Sequence, residues 1–176
     1  MNSEPTLRDL YDMMVKLNDR MERIERNMVS NPDMAWSTED LKPMSDWIRD
    51  VVVNGDHLSC LFETDNNSFT AFKQCILFNR DELGNELPVR KHKNTVYVLN
   101  DDRRWVKWND ENTRLLVQII WQKFVGLDVN TPADPSCDVD MNLLRRKSVI
   151  GMRKTLYDVK KNRAQINAWI GTLAQN

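Results

Sequence analysis

The chain has 176 residues, 41% hydrophobic and 29% charged, enough for one folded unit with an appendage. Its 25 basic and 26 acidic side chains nearly cancel to a net −1, excluding a uniformly basic nucleic-acid binder and an acidic disordered tail. No apolar run approaches the ~18 residues of a membrane span, and the start of the chain lacks a signal peptide's basic flank and apolar core, so no membrane partner is expected.

Residues 1–30 carry the clearest pattern. Leu7, Leu10, Met14, Leu17, Met21, Ile24 and Met28 are spaced 3-4-3-4-3-4, and the positions between them are mostly polar. That spacing keeps a narrow apolar seam facing a partner helix, the condition for a coiled coil. Ser3 with Pro5 marks the start and Asn31-Pro32 the stop. The chain is therefore expected to oligomerise with itself. Methionine specifies geometry weakly, so dimer and trimer both stay open. The same stripe would also suit an amphipathic helix docked on the chain's own body.

Residues 31–44 read as a linker, and a central α+β module is expected over 45–130. Its first element, residues 45–53, is taken as a helix ending at the Asn54-Gly55-Asp56 turn. Ser68 caps a second helix, with Phe69, Phe72, Ile76 and Leu77 on one face. Residues 94–99 and 103–108 then alternate around Asn100-Asp101-Asp102, the pattern of a β-hairpin. Asn109-Asp110 caps a helix bearing Leu115, Leu116, Ile119, Ile120 and Phe124, and Gly126 is its expected stop. A hairpin alone buries no core, so this helix must pack across it.

The stretch 87–124 resembles a module in uncharacterised proteins of nucleocytoplasmic large DNA viruses (giant viruses). In those proteins a helix precedes a basic RPI-x-C-x-D-x-KR segment, followed by a YIKD-x-x-x-W-x-KD hairpin and a lysine-rich helix. Here Pro88 and Arg90-Lys91-His92-Lys93 stand in the first part, Tyr97 and Trp105 in the hairpin, and residues 109–112 before the helix. The chain lacks the module's cysteine, with His92 its nearest counterpart. It carries the coiled coil that some relatives have in place of a two-cysteine two-histidine finger. The resemblance implies a viral protein of the host cytoplasm or the virion, with other viral proteins as partners.

Residues 131–176 read as a basic C-terminal helix of some 30 residues, its 3-4 spacing carried by Val149, Met152, Leu156, Val159, Ile166, Ile170 and Leu173. Arg163 interrupts that stripe. Arg145, Arg146, Lys147, Arg153, Lys154, Lys160, Lys161 and Arg163 face only Asp158 in this stretch, a net +7, whereas residues 1–137 hold 17 basic and 23 acidic groups, a net −6. Such a helix can lie on phosphate, dock on an acidic protein surface, or form a solvated face.

Little here suggests catalysis. His57, Cys60, Cys75 and His92 are too irregularly spaced for a zinc site, and the three cysteines (Cys60, Cys75, Cys137) read as reduced thiols. No metal or cofactor is expected, and there is no Walker loop, GxGxxG, HExxH or GxSxG. Of the six tryptophans, Trp108 and Trp169 have polar neighbours and are the candidate interface anchors. The expectation is a mostly helical α+β protein without enzymatic activity, acting in interaction or structure. Its alternative is a nucleic-acid-associated protein using residues 145–163.

Overall fold

The computed structural model describes Met14, residues 36–63 and residues 68–174. Residues 37–176 make one compact unit, an α+β fold dominated by helix. In chain order come α1 (Met44–Asp50), α2 (Gly55–Glu63), α3 (Ser68–Asp81), β1 (Val89–His92), β2 (Thr95–Leu99) and β3 (Trp105–Lys107). Then follow α4 (Asp110–Asn130), α5 (Val139–Arg153), a π-helical turn (Lys154–Asp158) and α6 (Lys160–Leu173).

Helix α4 organises the unit. Asn109 accepts from the Asn112 N–H at 3.1 Å while the Asn112 side chain accepts from the Asn109 N–H at 3.0 Å, a reciprocal cap that satisfies two orphan donors. Asp110 and Glu111 add negative charge to the positive end of the helix dipole. Leu116, Val117, Ile120 and Phe124 are buried, and α4 packs against α1, α2, α5, the π turn and α6. Gly126, the expected stop, is an interior residue. Its φ is negative, and the helix closes only where the Asn130 and Thr131 side chains donate to the Gly126 and Leu127 carbonyls, both at 2.7 Å.

Two expectations for residues 45–56 change. The helix over 45–53 ends at Asp50, and the Val51–Val53 stretch leaves it. Asn79 pins that stretch: its Oδ1 accepts from the Val52 N–H and its Nδ2 donates to the Val52 carbonyl, each at 2.8 Å. A distant side chain thus takes the backbone groups that a helix would have used. The expected turn at Asn54-Gly55-Asp56 opens α2 instead. Asn54 Oδ1 accepts from the His57 N–H and His57 Nδ1 accepts from the Asn54 N–H, both at 3.1 Å. This is a capping box with imidazole where Glu or Gln is usual.

The hairpin has a third strand. β1 pairs with β2 and β2 with β3, all antiparallel, and Lys93 takes a left-handed φ of 54° in the β1–β2 turn. The register aligns Val89, Val98 and Val106 on one row, where Val89 and Val98 are buried. Helix α6 approaches this side so closely that a Cβ on Gly171 would meet Val96 Cγ2 at 3.3 Å.

The expected single C-terminal helix is broken. α5 loosens into the π turn, and Val159 is extended at φ −80°, ψ 110° before α6 begins. The carbonyls released there find side chains, Asn162 donating to Thr155 at 2.7 Å and Arg163 to Tyr157 at 3.2 Å. Residues 131–176 do not stand apart from a module at 45–130. Val149, Met152, Leu156, Ile166 and Ile170 share one core with Trp47, Ile48, Phe72, Ile76, Leu116 and Phe124.

Candidate interaction surface

The side chains considered for chemistry are spread through the unit. His57 and Cys60 lie on α2, Cys75 on α3 and His92 on β1. His57 is buried against the edge of the Phe78 ring at a centroid distance of 5.2 Å. Cys75 is fully buried, and burial pushes its thiol up to about 12, so it stays protonated. No group of three His, Cys, Asp or Glu placed to hold a metal occurs among the described residues.

The eight basic residues do not form one face. Arg145 is half-buried, paired with Asp134 at 3.3 Å and lying over the Phe62 ring at 5.5 Å. Arg163 pairs with Asp110 at 3.5 Å and lies over the Tyr157 ring at 4.9 Å, so the interruption in the stripe is a satisfied charge. The break at Val159 puts Lys160 and Lys161 on a different helix from Arg146, Lys147, Arg153 and Lys154. Arg146, Lys147 and Lys154 are exposed and have no ion pair among the described residues.

Both tryptophans singled out in the sequence are half-buried. Trp108 donates to the Thr113 hydroxyl at 3.0 Å and the Asn167 side chain at 3.1 Å, joining β3, α4 and α6. Trp169 meets Phe69 and Phe72 edge-on, both at 6.4 Å, with the Lys73 ammonium 5.7 Å from its ring centroid. Of the seven heptad residues, Leu7, Leu10, Leu17, Met21, Ile24 and Met28 lie outside the described residues. Met14 is helical and exposed.

A further surface lies on α5. Asp138 caps this helix by accepting from the Met141 N–H at 2.7 Å, and only Val149 and Met152 of its residues are buried. The opposite side is apolar too, with Val139 83%, Ile150 66% and Leu143 49% exposed. Steps of four and seven put these three on one face, interleaved with Lys147 and continued by Lys154. Leu144 and Met141 are exposed beside it.

This ridge borders a groove of about 800 Å³ between α2, the 131–138 loop and α5. Leu58, Phe62, Pro132, Val139 and Leu143 supply its apolar lining, and Arg145 and Arg146 line it from α5. Asp134 is held in place by the Ser136 hydroxyl at 2.6 Å, the Ser136 N–H at 2.9 Å and Arg145, which together depress its carboxyl to about 2. A sequence signal for this surface did exist. Val139, Leu143 and Ile150 are apolar residues off the stripe that reaches the core, so α5 has more apolar faces than one core can cover. No family model, curated protein or solved structure matches the chain.

Proposed function

We propose that this protein works without enzymatic activity, by binding another protein through the α5 ridge and its groove, and that it associates with itself through residues 1–30. The setting implied by the resemblance over 87–124, a large DNA virus, belongs to the same reading. One observation carries it: an exposed apolar row of Val139, Leu143 and Ile150 bordered by Arg146, Lys147 and Lys154, which have no ion pair among the described residues. Each such side chain gains ~1.5–3 kcal/mol on full burial, and the cations select a partner whose apolar face has an acidic rim. Nucleic acid is the runner-up reading. It would use the cations but leave the apolar row in water, and the ridge carries no aromatic platform for bases.

The test pairs a helical peptide, Leu along one face and Glu along its rim, with a scrambled version of the same composition. The full chain should bind the helical peptide and not the scramble. Leu143→Ser with Ile150→Ser should weaken that binding at least ~10-fold, or about 1.4 kcal/mol. Both positions are exposed, so the fold should lose no more than ~0.5 kcal/mol at each. Equal binding of the two peptides would remove the reading. Sub-micromolar DNA binding at physiological ionic strength, lost on changing Lys154, Lys160 and Lys161 to Gln, would install the runner-up.

A further inference from the structure

The geometry points to Ser148 as a phosphorylation site for a basic-directed protein kinase, with Arg145 as the group that receives the new phosphate. The sequence there is Arg145-Arg146-Lys147-Ser148-Val149. Two arginines two and three residues before a serine, with an apolar residue after it, suit a kinase whose substrate groove is acidic, because guanidinium forks pair bidentately with carboxylates. Ser148 is exposed on α5, and its hydroxyl donates to the Leu144 carbonyl at 3.1 Å.

A kinase must draw this segment out of its helix, and α5 is built so that this is inexpensive. None of residues 139–148 is buried; the first anchors are Val149 and Met152. The segment is held by its Asp138 cap, the Asn142 contacts with the 134–138 loop and the Arg145–Asp134 pair. Sites with so few buried contacts open far more often than the whole fold. In the transfer the Ser148 oxygen attacks the γ-phosphorus of a nucleoside triphosphate. The bond to the diphosphate breaks, the diphosphate leaves, and the hydroxyl proton passes to a base on the kinase.

The consequence lies at Arg145. It is three residues before Ser148 and so its neighbour on the helix surface. A phosphate bears about −1.5 to −2 and three acceptor oxygens, against the single charge of Asp134. Arg145 therefore changes partner, leaves the Phe62 ring and shifts the groove wall that it forms. That last effect rests on the docking reading above; phosphorylation and the move of Arg145 do not.

The experiment uses the full chain, ATP and the catalytic subunit of a cyclic-AMP-dependent kinase, read by mass spectrometry and by the NMR signal of the Arg145 Nε–H. One phosphoryl group should enter at Ser148 and be lost in Ser148→Ala. The Arg145 signal should move on phosphorylation. Labelling of a peptide spanning residues 142–152 with none of the folded chain would overturn the site, since the helix would then protect it. Phosphate at Ser148 with an unmoved Arg145 signal would overturn the exchange of partners. Neither result depends on a docking partner, so failure here is separate from failure of the proposed function.

Discussion

Asn79 has no exposed surface and holds three backbone groups, the N–H and carbonyl of Val52 and the carbonyl of Cys75, each at 2.8 Å. Asn79→Ala would take away the partner of the Val52 N–H and carbonyl. Val52 itself is 45% exposed, so water replaces part of what is lost and the cost is about 1–2 kcal/mol. Urea unfolding should show that loss as a lower midpoint with an unchanged slope. His57 makes a second, pH-dependent case. Burial holds its imidazole below the usual histidine range, with the Asp56 carboxylate pulling partly the other way. Protonation would also fill the Nδ1 lone pair that accepts from Asn54. A histidine with a depressed folded pKa contributes its full stability above the unfolded value of about 6.5 and loses it as pH falls through the lower folded value. The melting temperature should therefore start to drop below that pH. His57→Gln keeps an acceptor without a titration, so its melting curve should lack this part of the fall.

Among the elements, α5 should be the least protected. Its first ten residues bury nothing, while α4 buries Leu116, Val117, Ile120 and Phe124. Native-state hydrogen exchange should show residues 141–148 exchanging at least ~100-fold faster than α4, a local opening cheaper by about 3 kcal/mol. Equal protection would mean that α5 is held by contacts beyond those of Val149 and Met152. Elements whose cause is local were legible in the sequence. Asn109 caps α4 through its own neighbour Asn112, and β2 and β3 alternate around their turn. Others were not. Val51–Val53 is shaped by Asn79, 27 residues further on. β1 and the break at Val159 have partners near in the chain, but the run Arg90-Lys91-His92 carries no apolar alternation. The residues that catch the freed carbonyls, Asn162 and Arg163, read as ordinary helix surface. The exposed apolar ridge on α5 was only half legible: a 3-4 pattern shows which residues share a face, but not which of two apolar faces the core will take.

For the whole molecule, the question is which part carries assembly. The unit of residues 37–176 has its own core, from Trp47 to Ile170. Leu10→Asp or Leu17→Asp should therefore abolish self-association and leave that unit folded, because a seam carboxylate is costly to desolvate. Light scattering would check the mass and circular dichroism the helix content; an unchanged oligomer in both variants would sink the coiled-coil reading. The close fit of Gly171 over Val96 has a bearing on synthesis as well. The sheet leaves the ribosome long before α6, so the side of β2 that Gly171 covers at Val96 stays open until that helix arrives. During that interval the nascent chain presents an unfinished, sticky sheet of the kind that invites aggregation or a chaperone. Slowing translation between β3 and α6 should thus lower the yield of soluble chain, even though every residue of the finished protein would be unchanged.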